Sequence, residues 1–258
     1  MTEENNLIGI IPAAGKGSRL EPFPCPKELF PVGYQDYNVN GNIQQRPKVV
    51  SQYLIENMIK AGVKKFYFII GEGKSDIMNY YGNGSRFGVN ILYLFQEQII
   101  GMPAALNLSF PWVDNAVYVF GMPDTIIEPN NFFQKLVEYN KETNAVVTLG
   151  LFATNTPSKF SMTEIDENND VLYIVDKPAK SDLTHTWGCA CWNQEFATLM
   201  NDYLVGSSIS SKEIVLADIF NYALEKKLKV NALKLTNAKY IDIGTTDELD
   251  SALKKFHL

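Results

Sequence analysis

Histidine is scarce in this chain, and its cysteines do not form the close pairs that bind metals. The 258 residues include two histidines, His185 and His257, and three cysteines, Cys25, Cys189 and Cys191. Two histidines are too few for the usual serine–histidine or metal–histidine sites, so we expect both at the surface. Cys189 and Cys191 lie two positions apart in an apolar run, which favours one face of a strand over a metal site.

Long blocks of one charge and long apolar runs are also absent. The net charge of −6 at pH 7 is spread along the chain, which disfavours a nucleic-acid-binding or anionic-membrane-binding surface. No apolar run reaches the length of about 18 residues that a membrane-spanning helix needs. The polar start, MTEENN, does not resemble a secretory signal. We therefore expect a soluble, cytoplasmic protein without nucleic-acid or membrane partners, built as a single domain over residues 1–258.

Glycine and basic residues are concentrated in residues 8–33, which read IGIIPAAGKGSRLEPFPCPKELFPVG. A β-branched, strand-like run is followed by small residues whose backbone N–H groups can bind anionic oxygens. Lys16, Arg19 and Lys27 add positive charge, and a guanidinium can bind two phosphate oxygens at once. The segment predicts a site for a nucleoside triphosphate; the alternative is that Gly15 and Gly17 only form a tight turn.

Two common phosphate-binding motifs do not fit this segment. A dinucleotide-binding loop requires G-x-G-x-x-G, but Leu20 stands where the third glycine would follow Gly15 and Gly17. A P-loop requires Gly-Lys followed by Ser or Thr, whereas Lys16 lies between two glycines.

Strand-like and helical patterns alternate along most of the chain. Apolar runs typical of strands cover residues 8–12, 65–70, 90–95, 116–120 and 145–151, and helical spacing appears over residues 47–61 and 131–140. The alternation predicts an α/β fold with a doubly wound, mainly parallel sheet. Ligands of such sheets bind beyond the carboxyl ends of the strands, where the Gly15 loop, Gln96 and Asp124 are expected to converge.

The second half of the chain has a different pattern. Residues 152–193 contain short strand candidates separated by turn residues, which predicts a small β-rich part. Helices are predicted over residues 213–227 and 246–256, on either side of a strand over residues 229–235.

Two aspartates and one glutamine carry the remaining chemistry. Asp124 and Asp242 each follow an apolar strand and are candidate Mg²⁺ ligands, because Mg²⁺ takes one or two carboxylates together with water and phosphate oxygens. The alternative is that they cap helices or fix turns. The carboxamide of Gln96 could pair with the edge of a pyrimidine; otherwise it is an ordinary surface side chain.

Short motifs in a fixed order carry a family resemblance. They are Pro12, Ala13, Ala14, Gly15, Gly17, Arg19 and Leu20, then Pro26-Lys27 and Pro31, Gln96 with Gly101, Pro123-Asp124-Thr125, Asp176-Lys177-Pro178, Trp187-Gly188, and Tyr240-Ile241-Asp242-Ile243-Gly244-Thr245. In this set and order, residues 8–245 resemble the sugar-1-phosphate nucleotidylyltransferases, or nucleoside-diphosphate-sugar pyrophosphorylases, and especially the glucose-1-phosphate thymidylyl- and uridylyltransferases.

The resemblance implies a Rossmann-like nucleotidyltransferase fold, with residues 152–193 on the sugar-binding side and no C-terminal β-helix domain. It implies Mg²⁺-dependent transfer of a nucleotidyl group from a nucleoside triphosphate, UTP or dTTP, to a sugar 1-phosphate, by default glucose 1-phosphate. The products would be a nucleoside-diphosphate sugar and pyrophosphate. The residues implied are Arg19, Lys27, Asp124 and Lys177 for catalysis; Ala13, Ala14, Gly15, Gly17, Gln96 and Gly101 for the nucleotide; Asp176, Lys177, Trp187 and Gly188 for the sugar; and Asp124 and Asp242 for Mg²⁺.

Departures from the family pattern concern the sugar and one long connection. Asp176 replaces the usual glutamate, and Trp187 stands where a small residue is common. The polar residues 33–46 exceed the usual connection, which indicates either a lid or a contact in a homo-oligomer. Two alternatives stay open: a different sugar phosphate used with CTP or GTP, and a non-catalytic sensor that binds a nucleotide sugar and regulates a partner.

Overall fold

A computed structural model of the chain describes residues 6–207 and 213–256; His257 lies outside them. The strands are β1 (Leu7–Ala13), β2 (Pro31–Val39), β3 (Asn42–Val49), β4 (Lys65–Ile70), β5 (Asn90–Phe95), β6 (Val117–Gly121), β7 (Thr125–Glu128), β8 (Val147–Ala153), β9 (Ser161–Ile165), β10 (Val171–Asp176), β11 (His185–Trp192), β12 (Val230–Lys234) and β13 (Lys239–Asp242). The helices are α1 (Val50–Lys60), α2 (Ser75–Tyr81), α3 (Met102–Asn107), α4 (Phe132–Thr143), α5 (Gln194–Gly206), α6 (Leu216–Glu225) and α7 (Thr246–Phe256).

A nine-stranded sheet forms the centre of the molecule. Strands β6, β1, β4 and β5 lie side by side and are parallel. Strand β11 runs antiparallel to β6 and joins this parallel part to β8 and β9, and β12 pairs in parallel with β8. The predicted α/β fold with a mainly parallel central sheet is confirmed.

Helices cover both faces of the sheet. The buried strand β1 presents apolar side chains to the helices on each face. Ile8 and Ile10 pack into a core that also contains residues of α3, α5 and α6. Leu7 and Ile11 pack into a second core with residues of α1, α2 and α4. Burial on both faces is typical of parallel strands, and it accounts for the nearly continuous apolar run at the start of the chain.

Two regions refine the predicted boundaries. Residues 33–46 lie within the hairpin of β2 and β3, and the helix predicted from residue 47 begins at Val50, because residues 42–49 pair with β2 instead. The predicted β-rich part contains β9, β10 and β11, which extend the central sheet. Cys189 and Cys191 both lie in β11, where both are buried and free.

Strands β7 and β13 form a small antiparallel sheet, and α7 follows β13. Apolar residues of β2, α1, β7, β13 and α7 pack together into a third core. Across residues 6–207 and 213–256, no helix combines the length and hydrophobicity needed to cross a bilayer.

Candidate active site

The segments that follow β1, β5 and β6 meet around a cavity of about 210 Å³ at the carboxyl ends of these strands. Gly15, Lys27, Gln96, Gly101 and Asp124 all line it. These five residues are far apart in the sequence, and the parallel register of neighbouring strands brings them together. The cavity therefore contains most of the residues predicted to bind the nucleotide.

Lys27 and Asp124 form an ion pair inside this cavity. The Lys27 ammonium donates a hydrogen bond to Oδ2 of Asp124, and the two side chains are only 15% and 5% exposed. Burial alone would lower the pKa of Lys27, but the carboxylates of Asp124, Glu28 and Asp242 together offset this effect, so the pKa is raised overall. Lys27 is therefore a fixed cation at the wall of the cavity.

Asp242 lies next to Asp124 because β13 pairs with β7. In that pairing Asp242 is opposite Thr125, and the backbone N–H of Ile243 donates to the carbonyl of Asp124 at 3.1 Å. Burial, followed by the charge of Asp124, raises the pKa of Asp242 to about 6, although the Gly244 N–H donates to its Oδ1 at 2.7 Å and opposes the rise. Two adjacent carboxylates raise each other's cost of ionisation unless a cation lies between them.

The carboxylates of Asp124 and Asp242 fit a hard cation that also keeps water or substrate oxygens as ligands. Asp124 and Asp242 provide two carboxylates, and Lys27 neutralises only one of them. Within the part of the chain that the structure describes, no group of three or more His, Cys, Asp or Glu residues could hold a metal. A cation bound by the two aspartates would thus take its other oxygen ligands from water and substrate, as Mg²⁺ commonly does.

Arg19 and Asp242 both approach Gly244. A β-carbon at residue 244 would lie 2.8 Å from Nη2 of Arg19 and 2.9 Å from Oδ1 of Asp242. A larger residue at position 244 would push the ends of these two side chains apart, so Gly244 permits their close approach. Arg19 is exposed, so its guanidinium is open to an incoming phosphate.

Gln96 follows β5 directly and is 7% exposed. Its Nε2 is buried and has no hydrogen-bond partner among residues 6–207 and 213–256. A buried amide donor without a partner destabilises a protein, so this donor is suited to an acceptor supplied by a ligand. Gly101 lines the same cavity with φ of 109°, and a β-carbon there would lie 2.7 Å from the carbonyl oxygen of Ile214. Any larger residue would be strained at this position.

The predicted phosphate loop leaves β1 at its carboxyl end. Ala13 ends the strand, and both Ala13 and Ala14 are buried. Gly15 is exposed, with no atom within 4 Å of where its β-carbon would be, and Gly17 lies against the aliphatic part of Lys27. The small residues of this loop therefore leave open space at Gly15, in the cavity that Lys27 also lines.

The residues predicted to bind the sugar are divided between the end of β10 and strand β11. Asp176 and Lys177 are exposed at the end of β10; Asp176 accepts a hydrogen bond from Ser161, and the Lys177 N–H donates to the Phe160 carbonyl at 3.1 Å. Neither residue lines the cavity that contains Lys27.

Trp187 and Gly188 lie in β11. The ring centroid of Trp187 is 5.2 Å from that of Phe220 and 6.2 Å from that of Phe120, so its indole packs against the core. A β-carbon at residue 188 would lie 2.5 Å from the ring of Tyr240. Trp187 and Gly188 also lie outside the lining of the Lys27 cavity.

Comparison with known proteins agrees with this geometry. The sequence profile of the Nucleotidyl transferase family matches residues 8–257. The chain belongs to this family. The predicted membership of a nucleotidyltransferase family of enzymes is thereby confirmed.

Individual relatives in this nucleotidyl transferase family are distant. The chain is 27% identical to a glucose-1-phosphate thymidylyltransferase of Neisseria gonorrhoeae, over 95% of this chain and 81% of that protein. It is also 27% identical to a low-salt glycan biosynthesis nucleotidyltransferase of Haloferax volcanii, over 67% of this chain but only 45% of that protein. A solved UDP-glucose pyrophosphorylase complexed with UDP-glucose is 17% identical, with a TM-score of 0.79 over 97% of this chain and 98% of that chain. This last similarity shows the fold.

Sequence reasoning missed several charged residues near this site, among them Glu28, Glu213 and Lys74. Glu28 and Glu213 line the cavity that contains Lys27. Lys74 lines a larger cavity of about 740 Å³, which shares Ala14, Gln96 and Ile99 with the first. Glu28 follows Lys27 directly, and this adjacency was the signal in the sequence that could have revealed it.

Proposed function

We propose that this chain transfers a nucleotidyl group from UTP or dTTP to a sugar 1-phosphate, releasing pyrophosphate and a nucleoside-diphosphate sugar. Glucose 1-phosphate is the proposed acceptor. The arrangement of Lys27 and Asp124 at the wall of a cavity, with Asp242 beside Asp124, carries the proposal. A fixed cation and a carboxylate pair lie together there. The cation neutralises phosphate charge, and the carboxylates can hold a metal ion that does the same, so that two anionic substrates can approach each other.

The reaction needs no nucleophile from the protein. A phosphate oxygen of the sugar 1-phosphate attacks the α-phosphorus in line, a new P–O bond forms, and the bond to pyrophosphate breaks as pyrophosphate takes the electron pair. Lys27 and Arg19 neutralise the charge of the phosphates, which lets the two anions approach. Asp124 and Asp242 would hold Mg²⁺, which supplies further charge neutralisation at the phosphates.

The base is assigned through Gln96. A uracil or thymine ring presents carbonyl oxygens and one N–H along its pairing edge. The Nε2 of Gln96, which has no partner among residues 6–207 and 213–256, can donate to a carbonyl oxygen, and its Oε1 can accept from the N–H. The thymidylyltransferase name of the Neisseria relative and the UDP-glucose of the solved neighbour support the same choice.

The sugar phosphate is proposed to bind on the side of β10 and β11. Lys177 would pair with its phosphate, Asp176 would accept hydrogen bonds from sugar hydroxyls, and Trp187 and Gly188 would bound the ring. The exposed position of Asp176 and Lys177 leaves both side chains open to a ligand. Glucose is proposed because the Neisseria relative and the solved neighbour both carry it in their names.

A panel of substrates tests the proposal. The protein is mixed with UTP, dTTP, CTP or GTP, with one of several sugar 1-phosphates, and with Mg²⁺ or excess EDTA, and pyrophosphate release is measured. We expect release with UTP or dTTP and glucose 1-phosphate, and none with EDTA. Release only with CTP, GTP or another sugar would overturn the substrate assignment. Binding of nucleotide sugar without any release would support the sensor alternative instead.

A further inference from the structure

A buried ion pair borders the proposed nucleotide site. The Lys74 ammonium donates a hydrogen bond to Oε2 of Glu28 at 2.8 Å, and the two side chains are 6% and 2% exposed. Burial raises the pKa of Glu28, whereas Lys74 lowers it and so favours the ionised carboxylate. Burying two charges is costly even when they are paired, so a fold that keeps such a pair calls for an explanation.

Glu28 itself is held rigidly. It lies in the short 3₁₀ turn Lys27–Leu29, and its backbone carbonyl accepts a hydrogen bond of 2.6 Å from Oγ of Ser51, which also contacts the hydroxyl of Tyr81. Lys74 holds the same residue by its side chain, from the loop between β4 and α2. The Glu28 carboxylate therefore stays beside the cavity that contains Lys27.

A carboxylate in this place is unfavourable for a nucleotide site unless its charge is cancelled. Glu28 lines the same cavity as Lys27 and Asp124, and its charge acts on Lys27 in the same direction as that of Asp124. Uncompensated, Glu28 would repel the phosphates of the ligand and compete with them for Lys27. Lys74 is the cation that the structure places on Glu28.

We propose that Lys74 is a positioning residue of the nucleotide site: by pairing with Glu28 it cancels a buried negative charge and leaves Lys27 to Asp124 and to the nucleotide phosphates. This rests on the proposed function, because it assumes that a nucleoside triphosphate occupies the Lys27 cavity. Lys74 acts through Glu28, and the expected effect of its loss is on nucleotide affinity.

Direct binding measurements test this inference without depending on turnover. The dissociation constants of UTP and dTTP are measured by calorimetry, with Mg²⁺ and without sugar phosphate, for the wild type, Lys74→Met, Lys74→Met/Glu28→Gln and the control Lys48→Met. Lys48 forms a more exposed ion pair with Glu56, whose side chains are 13% and 38% exposed, and neither residue lines the Lys27 cavity. Thermal unfolding of each variant is followed in parallel.

We expect Lys74→Met to raise the dissociation constant at least about tenfold, since it leaves an unpaired carboxylate beside the phosphates. The double variant removes both charges and should bind within about threefold of the wild type, because it leaves no unpaired carboxylate beside the phosphates. Lys48→Met should leave the constant unchanged.

Two results would overturn the inference. The first is a Lys74→Met variant with a lower unfolding temperature but unchanged nucleotide affinity, which would indicate a purely structural pair. The second is a double variant that binds nucleotide at least about tenfold more weakly than the wild type. The double variant keeps the test decisive even if Lys74→Met does not fold. A wild type that binds nucleotide but transfers nothing would contradict the proposed function and leave this inference intact.

Discussion

The proposed nucleotide side and the proposed sugar side of this site differ in how tightly their residues are held. Lys27, Asp124 and Gln96 are largely buried and line one cavity. Asp176 and Lys177 are exposed at the end of an outer strand, outside the lining of that cavity. The nucleotide side is therefore organised before any ligand binds, whereas the sugar side would gain much of its organisation from the ligand.

Sheet topology accounts for this difference. The loops of the nucleotide side leave β1, β5 and β6, which belong to the central, parallel part of the sheet and are covered by helices on both faces. Strand β10 is at the edge of the sheet and pairs only with β9 along its length. Central strands fix the groups at their ends more firmly than edge strands do, because they are packed from more directions.

The largest effect is expected for Asp242→Asn. This change keeps the volume of the side chain but removes one of two carboxylates proposed to bind Mg²⁺, so we expect turnover to fall at least about a hundredfold. Pyrophosphate release at saturating Mg²⁺ measures it, and circular dichroism checks the fold. The control Asp250→Asn removes an exposed carboxylate of α7 that pairs with Lys254. More than a tenth of wild-type activity in Asp242→Asn would contradict the metal assignment.

The same variant should be more stable than the wild type when no metal is present. Asp124 and Asp242 repel each other in the folded state, and removing one charge relieves this repulsion. We expect the unfolding temperature in EDTA at pH 8 to rise by about 2–4 °C, which corresponds to about 1 kcal/mol for a chain of this size. An unchanged or lower unfolding temperature would show that the two carboxylates do not strain the metal-free site.

The next effect in size is expected for Gln96→Glu. Glutamate loses the amide donor and adds a negative charge near the nucleotide, so the dissociation constants of UTP and dTTP should rise about ten- to a hundredfold. The matched control is Gln98→Glu, an exposed position in the same loop. Equal constants for wild type and Gln96→Glu would remove the main support for a pyrimidine base.

The sequence alone predicts some parts of the molecule much better than others. The loops after β1, β5 and β6 could be placed together from strand order and the rule for parallel sheets. The hairpin of β2 and β3 could not, because its polar residues lack an alternating pattern and the strands are held by pairing with each other. The Lys74–Glu28 pair joins residues 46 positions apart, and two single charged residues give no periodic signal.

A smaller effect, on the sugar side alone, is expected for Asp176→Ala. Loss of the carboxylate removes an acceptor for sugar hydroxyls, and we expect the KM for glucose 1-phosphate to rise about tenfold while that for the nucleotide stays within about twofold. Asp182→Ala, at another exposed position of the turn after β10, serves as the control. Equal changes in both KM values would place Asp176 outside the sugar site.

The smallest effect is expected for Trp187→Phe, which tests whether the sugar side reaches into the core. The indole Nε1 of Trp187 is buried without a hydrogen-bond partner among residues 6–207 and 213–256, so a sugar hydroxyl could satisfy it. Phenylalanine keeps the ring packing against Phe220 and Phe120 but removes this donor, and we expect the KM for glucose 1-phosphate to rise about threefold. The nucleotide KM should not change. If the variant is instead more stable with unaltered KM values, the indole N–H is an unsatisfied group of the core, and the sugar contacts only the exposed residues at the end of β10.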